Sequence, residues 1–261
     1  MARMEATRRG SAKGLEDPGL KGSQRWGWPR LERWLPVLIA VVSVAGWEWL
    51  AQAGRISPIF FPAPSVIART VVRMFAEGEM VTNLSATLSR LFLGLALGGV
   101  PGLVLGLSMG WSRRLRAIVD PLIAALHPIP KIAILPVIMI LFGIGESSKV
   151  IMVAVAAFFP MVISAMAGVR QISPIHFEVA ENYGASLIKV FTRVVVPGSL
   201  PLVLAGARLG LNIALLITIA VELATAKEGL GAMIWLAWET LRTEHLYAGL
   251  TVIAVLGISF N

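Results

Sequence analysis

The sequence predicts an all-α polytopic membrane protein with about six transmembrane helices, and three observations support this. Hydrophobic residues make up 56% of the 261-residue chain, only 15% of its residues are charged, and its mean hydropathy is +0.77. Soluble domains contain about a quarter charged residues. The apolar residues fall into runs, most of them about 20 residues long, which is the length that crosses a bilayer core as a helix. The predicted spans are 34–53, 91–110, 117–145, 150–169, 202–226 and 246–260.

A polar and basic segment, 1–33, precedes the first span. It contains eight Lys or Arg residues and four Asp or Glu residues. We expect this tail to be disordered and cytoplasmic, because it has too little apolar surface to form a core. No apolar core follows its first charges, so a cleaved signal peptide is not expected. The remainder, 34–261, is expected to form one transmembrane domain.

The composition argues against several kinds of site. The chain has no cysteine, which excludes a disulfide framework, a thiol nucleophile and a thiolate metal site. His127, His176 and His245 are too far apart for a metal-ligand spacing. The phosphate-binding pattern G-x-x-x-x-G-K-[ST] is absent, as is a recognisable catalytic constellation. We therefore expect no enzyme activity, metal or cofactor. The net charge of +8 is interpreted as cytoplasmic flanks of spans and not as a nucleic-acid surface.

The second predicted span is uncharged and carries a glycine at every fourth position. Small residues at this spacing let helix backbones approach closely in lipid. Because 3.6 residues per turn does not divide four, the stripe drifts by about 40° per step. We therefore expect it to contact more than one neighbouring helix. The stripe consists of Gly94, Gly98, Gly102, Gly106 and Gly110.

The third span is interrupted by the sequence HPIPK at 127–131. Two prolines and a cation at membrane depth are tolerated where protein or a water-filled path surrounds them. Two interpretations stay open, a kink that lines the transport pathway and a kink buried in the bundle near the cytoplasmic interface. The candidate pathway residues are Pro128, Pro130, Lys131 and, in the fifth span, Asn212.

A polar segment lies between the fourth and fifth spans. The serine–proline pair at 173–174 predicts a helix start, and Gly184 predicts the end of that helix. Ser186 predicts the start of a second short helix. Pro197 and Pro201 are expected to break the regular backbone before the fifth span begins.

The first of these short helices has a polar side and an apolar side. Glu178, Glu181 and Asn182 fall within an arc of about 100°. The apolar side consists of Ile175, Phe177, Val179, Ala180 and Tyr183. On physical grounds alone, an ordinary connecting loop and a functional surface are equally good interpretations.

The same segment resembles the EAA loop of ABC-importer permeases. That pattern reads E-A-A, three residues, G, nine residues, I, one residue, L-P, and Glu178, Ala180, Gly184 and Pro197 match it. Valine replaces Ala, Ile or Leu at three positions, Val179, Val194 and Val196. The stretches FGIGESSK, AAFFPMVISAMAGVR and AGARLGLNIALLITIAVELA resemble permeases of the nitrate/sulfonate/bicarbonate type.

This resemblance implies a type I ABC-importer permease fold and a function. The chain would pass a small anion of the nitrate, sulfonate or bicarbonate type across the bacterial inner membrane by alternating access. The implied partners are a second permease copy, two ATP-binding cassette subunits that bind the ATP, and a periplasmic or lipid-anchored solute-binding protein. The loop at 170–200 would dock on the ATPase. The implied coupling residues are Glu178, Val179, Ala180, Glu181, Gly184, Ala185 and Pro197.

The connections between spans set the expected orientation. The tail and the connections on its side contain fourteen basic residues and the connections on the other side six, which satisfies the positive-inside rule with a cytoplasmic N-terminus. The connections at 54–85 and 227–245 are each predicted to contain one short helix, and 145–149 is predicted to be a tight turn. The resembling family continues beyond the last span with a charged tail. Two explanations stay open for the end at Asn261, a clipped last helix and an incomplete sequence.

Two other function classes compete with the importer. A stand-alone secondary transporter or channel would need internal repeats or a charge relay at the midplane, and neither is visible. A membrane enzyme would need a convergent polar site.

Overall fold

The computed structural model describes residues 30–260, with side chains from residue 34. Most of the predicted disordered tail lies outside the described residues, while 30–33 already form the start of a helix. The described chain is helical and contains no strand. Its described residues divide into two units, with the boundary between Trp47 and Glu48.

Helix α1, Arg30–Gln52, contains the first predicted span, and its side chains at 34–46 are exposed. Helix α2, Pro64–Ala76, is the short helix predicted in the first connection. In the second unit, the Glu48 carboxylate accepts hydrogen bonds from the Ser65 amide at 2.9 Å and from the Ser65 hydroxyl at 2.7 Å. This carboxylate therefore satisfies one of the free amides at the start of α2.

The other helices of the second unit follow one another through short connections. They are α3 Glu79–Trp111, α4 Arg113–Leu126, α5 Leu135–Phe142, α6 Glu146–Arg170, α7 Pro174–Asn182, α8 Leu187–Val190, α9 Val196–Thr225, α10 Leu230–Glu239 and α11 Thr243–Ser259. A 3₁₀ turn, Lys131–Ile134, precedes α5, and a π-helical turn, Phe191–Val195, joins α8 to α9.

Helix α6 is the centre of the packing and contacts both α3 and α9, which also contact each other. All five glycines of the stripe on α3 face α6. A Cβ added to Gly102 would lie 2.7 Å from the Phe158 carbonyl oxygen, and one added to Gly94 would lie 2.5 Å from Val153 Cβ. The expectation that the stripe contacts more than one helix is therefore wrong.

The reason is that α6 has a matching row of its own. The α6 carbonyl oxygens closest to the five glycines belong to residues that are also four positions apart: Val150, Ala154, Phe158, Val162 and Met166. Each row winds slowly around its helix, because four residues are slightly more than one turn. Two helices whose rows wind equally can cross at an angle that keeps the rows in contact along their whole length. The residue numbers rise together along both rows, so α3 and α6 are parallel.

Two predicted connections are partly helical. Helix α3 begins at Glu79, so 79–85 is not part of the connection, and the predicted turn at 145–149 is mostly the first turn of α6. In both helices the first residue is a glutamate, which is favourable beside the free amides and positive dipole of a helix start. These polar residues suggested loops because sequence alone did not reveal their partners.

The predicted break at Pro197 and Pro201 is also wrong, because the helix continues without interruption from residue 187 to residue 225. The π-helical turn lies directly before Pro197, and the Val196 amide donates to the Phe191 carbonyl oxygen, five residues earlier. This wider turn makes room for a proline ring that would meet the carbonyl four residues earlier in a regular helix. Pro201 lies inside α9.

Four helical segments are long and apolar enough to cross a membrane: 34–52, 79–111, 146–170 and 187–225. The pair formed by α4 and residues 131–142 qualifies as a fifth, bent by 88° at the predicted interruption. Helix α11 is a shorter apolar helix of 17 residues. The apolar runs and the interrupted third span were thus correctly located from sequence.

Candidate functional site

The EAA-type loop, residues 174–197, turns through a helix-ending motif that explains its spacing. Gly184 has φ +66°, in the left-handed region. Its amide donates to the Glu181 carbonyl oxygen at 2.8 Å, and the Ala185 amide donates to the Ala180 carbonyl oxygen at 2.9 Å. These two bonds form a Schellman motif. The motif therefore sets the sequence separation between the E-A-A triplet and the glycine. Ala180, which ends the triplet, supplies the third-last helical carbonyl, and Gly184 is the left-handed residue.

The side chains of this loop have few partners within the chain. No residue of α7 or α8 is buried. Tyr183 is 88% exposed, Leu187 75% and Ile188 76%, and Val179 is exposed as well. Glu178 is exposed, and within residues 34–260 no ion pair or hydrogen bond involves its carboxylate. Of the apolar side predicted for α7, Ile175, Val179 and Tyr183 are exposed, while Phe177 and Ala180 are half-buried.

The base of the loop is packed more closely. Pro197 lines a recess of about 220 Å³ between the start of α7 and the start of α9. Gly198, the next residue, contacts Ile172, since an added Cβ would lie 2.8 Å from Ile172 Cδ1. On the other side, Trp111 at the end of α3 contacts Phe191, with ring centroids 5.6 Å apart. The loop is therefore anchored at its base and exposed at its tip.

The bend after α4 brings three of the four candidate pathway residues together. Pro128 and Pro130 are exposed at the bend, so the rest of the described chain does not bury them. The Lys131 ammonium donates to the carbonyl oxygens of His127 and Ile129 and lies 4.7 Å from the centroid of the Phe159 ring. In the described residues, no hydrogen bond links Asn212 to the bend.

A second cluster lies where α3, α6 and α9 meet, at the ends of these helices opposite the EAA-type loop. The Arg90 guanidinium pairs with Glu146 through two hydrogen bonds, Nε to Oε2 at 2.6 Å and Nη2 to Oε1 at 2.9 Å. Its Nη1 donates to Glu222 Oε1 at 2.7 Å, and Lys149 Nζ donates to Glu146 Oε1 at 2.7 Å. Two cations thus balance two carboxylates. We call Arg90, Glu146, Lys149, Glu222 and Thr87 the charged cluster.

The charged cluster also binds the backbone of the segment between α9 and α10. The guanidinium Nη1 donates to the Glu228 carbonyl oxygen at 2.6 Å. The Leu230 amide donates to Thr87 Oγ1 at 2.9 Å, and the Gly231 amide donates to Glu222 Oε2 at 3.0 Å. The Thr87 hydroxyl donates to the same Glu222 oxygen at 2.9 Å. The Glu228 carbonyl oxygen and the amides of Leu230 and Gly231 are therefore all hydrogen-bonded to side chains of the cluster.

Two glycines allow this close approach. Gly229 has φ +124°, and a Cβ there would lie 2.5 Å from Glu222 Oε1. Its amide donates to Asn83 Oδ1 at 2.9 Å. A Cβ at Gly231 would lie 2.6 Å from the Ile219 carbonyl oxygen. Only glycine fits at both positions without movement of the neighbouring groups.

Arg90 and Glu222 belong to the buried part of the cluster, whereas Glu146 is exposed, and the cluster lies near one edge of the apolar layer. The Arg90 side chain is 5% exposed and that of Glu222 is 0% exposed. Arg90 precedes Trp111 by 21 residues along α3. At a rise of 1.5 Å per residue these two positions are about 31 Å apart, close to the roughly 30 Å thickness of a hydrocarbon core. Buried charges at this depth are tolerated because they pair with one another.

Sequence reasoning missed this cluster. Arg90 fell at the boundary between a predicted connection and a span, Glu146 and Lys149 were assigned to a turn, and Glu222 was noted only for its place near a span end. The available signal was an arginine and a glutamate at corresponding ends of two apolar runs, since ionisable residues inside membrane helices pair with each other. Across residues 34–260 no group of three His, Asp or Glu side chains forms a candidate metal site.

Comparison with known proteins identifies relatives over most of the chain. Residues 102–261 match the sequence profile of the family described as "Binding-protein-dependent transport system inner membrane component". The chain is 36% identical over 239 residues to the taurine transport system permease protein TauC of Escherichia coli (strain K12), covering 89% of this chain and 86% of that protein. It is 32% identical over 236 residues to SsuC of Bacillus subtilis (strain 168), which is named as an aliphatic sulfonates transport permease, covering 90% of this chain and 84% of that protein.

The fold also has a solved counterpart. A chain from the inward-facing MetNI methionine ABC transporter superposes with a TM-score of 0.59 at 19% sequence identity, covering 67% of this chain and 88% of that chain. At this identity the likeness concerns the fold alone, and it agrees with the type I permease fold implied by the EAA-type loop.

Proposed function

Because the chain belongs to the family of inner membrane components of binding-protein-dependent transport systems, we propose that it is the permease through which an ABC importer moves a small sulfonate across the bacterial inner membrane by alternating access. The observation that carries the substrate class is identity to permeases named for taurine and aliphatic sulfonates over almost the whole chain. Sulfonates are one of the anion classes that the sequence predicts.

Coupling to ATP hydrolysis takes place at the EAA-type loop. Its exposed apolar side chains and the exposed carboxylates of Glu178 and Glu181 support a docking surface for a separate ATPase subunit, which binds the ATP. The Schellman motif at Gly184 fixes the angle between α7 and α8, so both short helices can seat on one partner as a unit. Apolar side chains and charged groups combined in one patch are typical of protein interfaces.

The orientation follows from this coupling. The EAA-type loop is cytoplasmic, and the charged cluster, at the opposite ends of α3, α6 and α9, is on the external side. Two copies of the chain form the pathway, with a solute-binding protein outside.

The bend after α4 supplies the pathway with a positive charge. An ammonium group has three donors, and Lys131 uses two of them for the carbonyl oxygens of His127 and Ile129. The third donor is free for the sulfonate oxygens of a passing solute. Pro128 and Pro130 interrupt the regular helix at this point, and Asn212 on α9 provides a further polar group for the pathway.

The test is reconstituted transport. The permease, co-expressed with its ATPase, is placed in proteoliposomes, and uptake of taurine, ethanesulfonate, nitrate and bicarbonate is measured with the solute-binding protein outside and ATP inside. We expect ATP-dependent uptake of the sulfonates alone. Uptake of nitrate or bicarbonate in their place would contradict the substrate class. Uptake without any ATPase would favour a stand-alone transporter or channel.

Orientation can be tested separately, because the chain has no cysteine and single cysteines are therefore unique labels. Cysteines at Ser57 and Ser147 should react with an impermeant thiol reagent added to intact cells, and those at Ser112 and Ser186 should not. The reverse pattern would contradict the proposed topology while leaving the substrate class untouched.

A further inference from the structure

A cavity of about 700 Å³ lies beside the segment that joins α9 to α10. Its walls come from the start of α3, from this segment, from α10 and from the start of α11. Lys227 and Glu228 of the segment are exposed and line the cavity, whereas Gly229 and Leu230, the next two residues, are buried against the charged cluster. The beginning of this segment therefore forms the cavity wall, and its end, together with the first residue of α10, anchors it.

The anchoring involves four consecutive residues, each through a backbone group. The Glu228 carbonyl oxygen and the amides of Gly229, Leu230 and Gly231 are all hydrogen-bonded to side chains. The side chains that bind them are Arg90, Asn83, Thr87 and Glu222, three from α3 and one from α9. An irregular segment whose backbone is left to solvent opens easily, whereas one whose backbone is bonded to packed helices does not. The charged cluster thus makes this segment part of the rigid helical core.

We propose that Thr87 and Asn83 are positioning residues for solute delivery. Together with Arg90 and Glu222, they bind the backbone of residues 228–231 and so hold residues 226–228 as a fixed wall of the cavity, where the solute-binding protein docks and releases its solute. This inference rests on the proposed function, which places this end of the chain outside. A surface already ordered before binding is favourable because no conformational freedom is lost on docking. Weakening the anchor should therefore weaken docking and leave the later transport steps unchanged.

The first measurement follows the mobility of the segment in the permease alone and needs no partner protein. A spin label on the single-cysteine variant Lys227→Cys reports the mobility of the segment in the purified permease. Thr87→Val removes the hydroxyl that accepts from the Leu230 amide, and we expect a more mobile label. Thr87→Ser retains the hydroxyl and should restore the immobile spectrum.

A matched control is available at the start of the same segment. The Thr225 hydroxyl donates to the Val221 carbonyl oxygen of its own helix at 2.9 Å and anchors nothing else. Thr225→Val is the same chemical change and should leave the label as immobile as in the parent. Asn83→Ala removes the acceptor of the Gly229 amide and should also make the label more mobile. It provides an independent test if Thr87→Val cannot be purified.

The second measurement reads the functional consequence. ATP hydrolysis by the reconstituted permease–ATPase complex, without the Lys227→Cys change, is titrated with solute-loaded binding protein. Loss of one hydrogen bond of ordinary strength corresponds to a change of about two- to tenfold in an equilibrium constant. We expect Thr87→Val to raise the half-saturating concentration of binding protein within that range, with the maximal rate unchanged. Thr87→Ser and Thr225→Val should match the parent.

The outcomes separate this inference from the proposed function. If the parent complex shows no stimulation by any binding protein, the proposed function fails, whereas the label experiment still tests the anchoring. An immobile label in both Thr87→Val and Asn83→Ala overturns the anchoring. A mobile label with an unchanged half-saturating concentration, or with a fall only in the maximal rate, shows that these residues do not position a docking surface.

Discussion

The two ends of the helical core differ in how far their side chains are buried and paired within the chain. At the end that carries the charged cluster, Arg90 and Glu222 are buried, and their hydrogen-bonding groups are met by side chains and backbone of the same chain. At the end that carries the EAA-type loop, Leu187 and Ile188 are exposed, and no residue of α7 or α8 is buried. The buried charges of one end are paired within the chain, and the apolar side chains at the tip of the other end remain exposed.

This difference shows where a sequence motif is expected to be informative. A surface that docks on another protein has to present certain residue types at fixed spacing, so it produces a linear pattern such as Glu178, Ala180 and Gly184. A cluster whose charges and hydrogen-bonding groups pair with one another can consist of residues from any part of the chain. Thr87 and Glu222 are 135 residues apart and form no linear pattern.

The largest effect should come from breaking the complete end. Arg90→Met removes the cation that faces Glu222 and leaves a carboxylate of 0% exposure without its charge partner. Removing one partner of a buried pair costs about 3–5 kcal/mol. We expect the midpoint of thermal unfolding, followed by far-ultraviolet circular dichroism in detergent, to fall steeply.

The double variant Arg90→Met with Glu222→Met is the control for that experiment. Replacing both members of a buried ion pair with apolar side chains is often close to neutral. The double variant should therefore recover a large part of the lost stability. A double variant as unstable as the single one would mean that the charges are not a coupled pair. Glu146 is 61% exposed and keeps Lys149, so it should matter less than Glu222.

The next effect concerns the contact that connects the two ends. A Cβ on Gly98 would collide with the Ala154 backbone carbonyl group, whereas one on Gly99 would lie 3.6 Å from Leu95 Cδ1, an ordinary contact. Overpacking of a close contact typically costs about 1–3 kcal/mol. Gly98→Ala should therefore lower the unfolding midpoint and the yield of assembled complex, and Gly99→Ala should change neither. Equal behaviour of these adjacent variants would argue against close packing of α3 on α6.

How much could be predicted from sequence depends on the range of the interactions involved. The apolar runs, the bend at 127–131 and the end of α7 at Gly184 all follow from local composition or from prolines and glycines, and these were predicted correctly. The start of α3 at Glu79 was missed, and so was the start of α6 at Glu146. Polar residues there suggested connections, but Asn83 in the first turns of α3 accepts from the Gly229 amide, 146 residues away, and Glu146 pairs with Arg90, 56 residues away.

The glycine stripe and Pro197 show the same limit. Spacing on α3 revealed the close contact, but the number of partner helices depended on a matching row on α6, which is visible only once the two helices are placed together. The helix continues into Pro197 because a π-helical turn precedes it, and no residue type specifies such a turn. The roles of Lys131 and Asn212 in a pathway stay predictions.

A smaller loss of stability is expected at the turn of the EAA-type loop. Nothing lies within 4 Å of a Cβ added to Gly184, so only its left-handed backbone matters. An L-residue in that conformation costs about 1–2 kcal/mol, and asparagine tolerates it better than valine. Gly184→Val should reduce co-purification of the ATPase with the permease more than Gly184→Asn does, at similar membrane abundance. Equal loss in both variants would indicate that the turn geometry is not what the ATPase requires.

The smallest effect on the chain itself should come from the exposed tip of the loop. Leu187 is 75% exposed and Ile188 76%, and surface substitutions usually stay within about 0.5 kcal/mol. Leu187→Ser combined with Ile188→Ser should therefore leave the unfolding midpoint and membrane abundance close to those of the parent. The same variant should lose the ATPase on purification, because apolar anchors at the centre of an interface dominate its affinity. Ile59→Ser combined with Phe60→Ser, two exposed residues in the connection between α1 and α2, is a matched control that should retain the ATPase. If the loop variant retained the ATPase and solute-stimulated hydrolysis, the exposed tip would not be the docking surface, and the two ends of the core would not differ in the way described.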